Sequence, residues 1–315
     1  MNLRLFFWVI LILWSRLDAK VYPIQFAIPE CKIIDHIPLK DRDFAPLIPS
    51  DASTYIYTEE ADYYGDYQRS YFAYTWKKGG WDCLRHYEIL ANGCIPYFVD
   101  LRQSDPNTMY FLPKELILEA MQLRGVSRGQ IDHRFFNKTR YNQLLSKMLE
   151  HTRKYLTTKA MASYILQTVD YKGGGSILYL SNDIGPDYLR CCMLIGLKEL
   201  LQDRVVDVPK IPHIYTSYPD DVKQLYGKGF SYTKIVEDLP VDREDIENRI
   251  RNREFDLIIY GSVHRGLRHH DLVQEVYGPD EIIYMCGEDD HKCEFSNVPH
   301  LLLREFESMP QLYRS

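Results

Sequence analysis

The 315-residue chain has no CxxC pair, no excess of basic residues and, beyond its first twenty residues, no apolar run long enough to span a bilayer. Without paired CxxC spacing, the commonest signature of a structural zinc site is missing. A net charge of −6 argues against a dedicated nucleic-acid binder, whose footprint is a strong basic excess. Seven cysteines (31, 83, 94, 191, 192, 286 and 293) are too few and too scattered for a disulfide scaffold. An oxidising compartment would allow one or two bridges, and the odd count leaves at least one thiol unpaired within the chain. No internal repeat is visible. What the chain does have is an ordinary apolar fraction of 45%, enough for a core, and 25 tyrosines. Most of these are expected in packing, a few as sugar-stacking faces.

The N-terminus reads as a targeting segment. Arg4 precedes an apolar run from Leu5 to Trp14, and Ser15, Arg16 and Asp18 follow at once. A run this short fits the h-region of a signal peptide, since a span needs ~20 residues. Ala19 offers a small residue for cleavage; an uncleaved anchor is the alternative, and only then would the membrane be a partner. Residues 1–19 are therefore expected to be a signal peptide or N-terminal anchor. The rest is expected in the secretory pathway or exported, the Golgi or ER lumen included. Asn137-Lys138-Thr139 is a glycosylation sequon, usable only in a eukaryotic lumen.

Along the chain, short apolar runs alternate with helical patterns. Strands are predicted at Val21–Pro29, Tyr71–Tyr74, Cys94–Phe98, Ser176–Leu180, Val205–Val208, Phe255–Tyr260 and Glu281–Cys286. Helices are predicted over Glu59–Ser70, Asp82–Ala91, Pro113–Leu123, Tyr141–Val169, Pro186–Leu201, Asp242–Asn252 and Leu267–Val276. Strands such as FDLIIY, apolar almost throughout, belong to parallel sheets buried on both faces. The fold class is therefore α/β: two Rossmann-like halves, parallel sheets flanked by helices. The triple glycine at 173–175 places the boundary, giving domains at 20–170 and 176–315 with a glycine-rich hinge between them.

In open α/β sheets, ligands bind beyond the carboxyl ends of strands. Four such ends carry polar groups: Lys77–Arg85, Asn182–Gly185, Gly261–Arg265 and Gly287–His291. In the first, Lys77, Lys78 and Arg85 supply cations for a diphosphate, Gly79-Gly80 permits close backbone approach, and Glu88 shares a helical face with Arg85. An i,i+3 surface ion pair between Arg85 and Glu88 is the simpler reading of those two residues. Asp183 and His264 are candidates for general acid–base work, with Arg265 beside His264 as the neighbour expected to influence it; helix capping and surface charge are the simpler alternatives. The acidic run at 288–290 and His291-x-Cys293 could offer ligands to a cation, but no metal site is assigned.

The segment Glu88–Pro96, EILANGCIP, resembles the donor-site motif of GT-B glycosyltransferases, in particular their exostosin-like branch, over about Tyr71–Phe98. The resemblance implies a GT-B-like fold and a glycosyltransferase. Such an enzyme moves a sugar from a nucleoside-diphosphate sugar to a glycan or protein hydroxyl, with no cofactor besides the donor itself. It implies that Glu88 contacts the ribose, that Lys77, Lys78 and Arg85 hold the diphosphate, and that Gly93 belongs to the donor motif. In GT-B enzymes the donor half lies C-terminal, whereas here it comes first. A circular permutation would account for this and would set Leu301–Phe306 beside the strand at Val21–Pro29. The alternative function is a non-catalytic glycan-binding or interaction protein on a degenerate glycosyltransferase scaffold. A methyltransferase is the weakest reading, because Gly173–Gly175 precede the SILYL strand and a cofactor loop would follow it.

Overall fold

The computed structural model describes residues 20–289, 293, 298 and 300–306, so the expected leader at 1–19, Asp290 and His291 lie outside the described residues. Among the described residues eleven strands occur in chain order: β1 Lys20–Pro23, β2 Arg42–Phe44, β3 Ser70–Thr75, β4 Ile95–Phe98, β5 Val126–Ser127, β6 Gln130–Ile131, β7 Ser176–Leu180, β8 Val205–Val208, β9 Phe255–Tyr260, β10 Ile282–Cys286 and β11 His300–Leu303. The α-helices are α1 Glu60–Arg69, α2 Leu84–Ala91, α3 Lys114–Met121, α4 Lys138–Tyr155, α5 Thr158–Thr168, α6 Tyr188–Leu201, α7 Ile246–Arg251 and α8 His270–Val276.

The strands form two parallel sheets and one short antiparallel ribbon, β5–β6. The smaller sheet runs β2-β3-β4 and the larger β8-β7-β9-β10-β11-β1. Both have their strands parallel throughout, so this is the two-part Rossmann-like architecture, GT-B-like in outline. In the larger sheet β7 lies between β8 and β9, so the chain reverses its direction of travel across the sheet there. That is the switch point at which such sheets open a crevice.

β1 pairs with β11, Val21 opposite Leu301 and Pro23 opposite Leu303. The segment Leu301–Phe306 thus does run beside the first strand, and β1 belongs to the sheet of the later half. One buried cluster reaches from Phe72 and Tyr141 through Met148 and Met161 to Leu194 and Ile177, so the two halves share a core. α5 and α6 pack closely enough that a Cβ on Gly196 would stand 2.0 Å from the Thr158 carbonyl oxygen.

Several expectations change: the strand predicted over Val21–Pro29 ends at Pro23, and the helix predicted over Asp242–Asn252 is the shorter α7. The single helix predicted over 141–169 is two helices, α4 and α5. Thr157 caps the second, its Oγ1 accepting from Ala160 N–H at 3.1 Å. Ile28 pairs with both sides of the break, donating to Leu156 and accepting from Thr158. Periodicity alone runs through such a break, because the apolar face continues on both sides. The membrane, expected as a partner through an uncleaved leader, is withdrawn: among the described residues no helix is long and apolar enough to cross one.

Candidate functional site

The carboxyl ends of β3, β7, β9, β10 and β11 converge on one cavity of about 700 Å³ between the sheets. That volume is in the range of small-molecule sites. From the smaller sheet's side it is lined by Lys78, Gly79, Gly80, Arg85 and Glu88; from the larger sheet's side by Asp187, His264, Arg265, Glu288, Asp289 and Arg304. Tyr55, Tyr57, Tyr63, Tyr188 and Tyr226 add aromatic faces.

The loop after β3 is fixed from beneath. His86 is fully buried, with Nε2 on the Trp81 carbonyl at 2.8 Å and Nδ1 on Thr75 Oγ1 at 2.9 Å. A carbonyl only accepts, so Nε2 carries the proton and Nδ1 accepts from the Thr75 hydroxyl. Burial pushes the His86 pKa down to about 3, so the ring is neutral and positions the loop. Asp82 pins the same loop to the larger half. Its carboxylate accepts from Phe26 N–H and from the Tyr87 hydroxyl, both at 2.7 Å.

On this frame Arg85 donates to the Tyr55 hydroxyl at 3.2 Å and lies 5.7 Å over its ring. Its Nε is buried and without a partner among the described residues. Glu88 is 6% exposed and accepts from Tyr63 at 2.6 Å and from Ser231. Burial raises the Glu88 pKa, and the two hydroxyls and the Arg85 charge pull against that rise. Ser231 arrives from the larger half on a strap, 226–231, in which Gly227, Lys228, Gly229 and Ser231 all take positive φ. The strap is tied down by Ser231 N–H on Glu60 at 2.6 Å and by Phe230 stacked on Tyr63. Glu88 therefore links the two halves as well as lining the cavity.

On the opposite wall His264 Nε2 lies 3.0 Å from Glu288 and 3.5 Å from Asp187. Asp187 caps α6, accepting from Arg190 N–H at 3.0 Å, and also accepts from Ser262 Oγ at 2.7 Å and Arg265 Nε at 3.1 Å. Burial works against this carboxylate, but the His264, Arg190 and Ser262 hydrogen bonds and the Arg190 charge outweigh it and hold its pKa well below the usual range. The Arg265 guanidinium, expected to act on His264, is spent on Asp187 and Asp183 instead.

Of the residues singled out in sequence, Lys78, Arg85, Glu88 and His264 share the cavity wall. Lys77, Gly93 and Asp183 are not on it. Lys77 lies 5.4 Å over the Trp81 ring. Gly93 ends α2 with φ +64°, where a Cβ would meet Ile34, and its carbonyl receives Lys40 Nζ. Asp183 accepts from Gly185 N–H at 2.8 Å and pairs with Arg190 and Arg265, so it organises the turn before α6. The expected Gly79-Gly80 approach is real, but what approaches is protein. A Cβ on Gly79 would stand 2.3 Å from Asp289 Oδ2, and one on Gly80 2.4 Å from Glu305 Oε1.

Sequence reasoning missed Asp187 and Arg304. Asp187 carried a legible signal, an Asp directly before a helical run. Arg304 directly follows an apolar strand, the same signal that marked the other strand ends. The Arg304 side chain is 1% exposed and donates to Asp82 O at 2.8 Å, Gly287 O at 2.8 Å and Glu305 at 3.0 Å, and also to Asp289. Cys293 is bonded to Cys286 as a disulfide and so is no metal ligand, and among the described residues no metal-holding cluster occurs.

The acids around Arg304 set a pH dependence. Burial pushes Glu305 up to about 7, against the pull of Arg304 and of the Asp82 N–H. The folded chain thus holds this proton at pH values where the unfolded chain has lost it. The associated stability is fully present below about 4.5 and is lost as pH rises to about 7, on the order of 3 kcal/mol. Glu305→Gln is expected to flatten that decline and to match or exceed wild type at pH 8. Thermal melts of both proteins at pH 5 and 8 check this; parallel declines would remove Glu305 as the source.

Compared with protein-family models, curated proteins and solved structures, the chain matches none.

Proposed function

We propose that the cavity binds a nucleoside-diphosphate sugar and that the protein transfers the sugar to a hydroxyl of a glycan or protein. One observation carries this reading: Lys78, Arg85 and Glu88 from one Rossmann-like half face His264, Asp187 and Arg265 from the other across a single cavity. Cations beside a glycine loop suit a diphosphate, tyrosine faces suit a base and a sugar, and the imidazole–carboxylate pair suits proton removal. In the transfer, Glu288, which accepts from His264 Nε2–H at 3.0 Å, takes the acceptor hydroxyl's proton and the freed oxygen attacks the anomeric carbon. The bond from that carbon to the diphosphate oxygen breaks, and the diphosphate leaves with the electron pair. Lys78 and Arg85 offset the charge that develops on it. Asp187, 3.5 Å from the same Nε2, helps to orient the ring that holds Glu288.

Secretory or luminal residence belongs to this reading as well, resting on the leader at 1–19 and the sequon at Asn137. The domain division near 170–176 belongs to this proposal too, with β1 assigned to the later half, whose sheet it joins.

The test is calorimetric titration of the full chain with UDP- and GDP-sugars. Wild type is expected to bind one series at micromolar affinity and Arg85→Ala at least tenfold more weakly. Folded wild type that binds no nucleotide sugar would sink the proposal. A second reading, binding without transfer, draws support from the carboxylates of Asp289 and Glu305 seated on Gly79-Gly80. Nucleotide binding with no glycosylated product by mass spectrometry would select it.

A further inference from the structure

The Asp289 side chain stands where the glycine loop was expected to receive an anion. Its Oδ2 would be 2.3 Å from a Cβ on Gly79 and its Oδ1 2.8 Å from one on Gly80, so only glycines leave room for it. Arg304 reaches the same carboxylate from below. The guanidinium is 1% exposed and fixed by the carbonyls of Gly287 and Asp82, whereas the Asp289 side chain is 52% exposed. The two sides of the contact therefore differ. The cradle of two glycines and a buried cation, with the buried Glu305 carboxyl on its Gly80 side, is held within the protein, and the Asp289 anion in it sits on an open turn after β10. A carboxylate held by one ion pair at half exposure is bound weakly. Lys78 and Arg85 line the cavity beside it and add to the local positive charge.

We propose that Asp289 is an intramolecular stand-in for a phosphoryl group, an acidic latch that a diphosphate must displace from the Gly79–Gly80–Arg304 cradle. The inference rests on the reading of the cavity as a phosphate-bearing site, and it locates the phosphoryl nearest Arg304. A diphosphate carries more charge than one carboxylate and reaches Lys78 and Arg85 at the same time, so it wins the exchange. Until it does, its apparent affinity is reduced by the fraction of molecules in which the latch is out. Removing the latch removes that reduction.

The experiment titrates inorganic pyrophosphate, and separately UDP, into full-length wild type, Asp289→Ala and Asp289→Asn by calorimetry, with a thermal melt of each protein. Asp289→Ala is expected to bind pyrophosphate about tenfold more tightly than wild type, as for a latch in place about nine-tenths of the time. Asp289→Asn, which keeps the shape and loses the charge, is expected to gain less. Equal or weaker binding by both folded variants overturns the latch. The two proposals fail separately. If the variants gain pyrophosphate affinity but no nucleotide sugar binds wild type, the latch stands and the transferase reading falls. If nucleotide sugars bind wild type and the variants gain nothing, the latch falls alone. No binding of any probe to any of the three overturns both.

Discussion

Replacing His264 with glutamine is expected to lower sugar transfer by about 10²-fold, the cost of misplacing the Glu288 base that its Nε2–H holds, while nucleotide affinity changes by no more than a few-fold. The split follows from where the ring sits. His264 lies on the wall opposite Lys78 and Arg85, between Asp187 and Glu288, so in the proposed transfer other groups hold the donor's diphosphate. Asp187 acts through the ring. It holds the imidazole with one carboxylate that also caps α6 and takes Ser262 and Arg265. Asp187→Asn is therefore expected to reduce transfer less than His264→Gln and to cost stability as well. Initial rates of donor turnover, read as released nucleoside diphosphate with and without a saccharide acceptor, measure both. A His264→Gln protein that turns over at the wild-type rate would remove the ring from the chemistry.

Arg304→Ala is expected to destabilise the fold by about 3–5 kcal/mol, the range for removing one partner of a buried ion pair. A single guanidinium serves the carboxylates of Glu305 and Asp289 and the carbonyls of Asp82 and Gly287. Without it, the carbonyls of buried Asp82 and half-buried Gly287 lose donors and the acids lose their countercharge. Urea unfolding with an unchanged slope and a lower midpoint is the expected signature. Combining the change with Glu305→Gln is expected to recover part of the loss, because the amide needs no counterion. A loss below 1 kcal/mol would mean that the cluster contributes little.

The elements that spelled themselves out in the sequence are those whose burial is uniform. SILYL, VVDV and FDLIIY are strands with the bounds their apolar runs imply, because a parallel strand covered on both faces needs apolar residues at nearly every position. β2, with residues Arg42–Phe44, and the β5–β6 ribbon are short and polar and gave no comparable pattern. The site was legible in part for a related reason. Lys78, Arg85, Glu88 and His264 follow apolar strands closely, and strand ends point into the cleft. Whether a given polar group faces ligand or protein depends on what comes from elsewhere in the chain. Lys77 and Lys78 are adjacent, yet one lies over Trp81 and the other on the cavity wall. Asp183 and Asp187 are four residues apart, and only the second reaches His264. Asp289 meets Gly79 and Gly80 across some two hundred residues, a meeting no local pattern encodes.

The pairing of β1 with β11 has a consequence during synthesis. β1 leaves the ribosome well before the strand it lies against, which follows roughly 280 residues later. At about 5–20 residues per second, β1 waits tens of seconds with its hydrogen-bonding edge unmatched. The smaller sheet and α1 to α4 can be complete well before then. Arg304 and Glu305 emerge directly behind β11, so the floor of the cavity is laid only when β11 fills its place between β10 and β1. A nascent chain stalled before residue 300 would carry the glycine loop, Arg85 and His264, and lack the Arg304–Glu305 part of their floor.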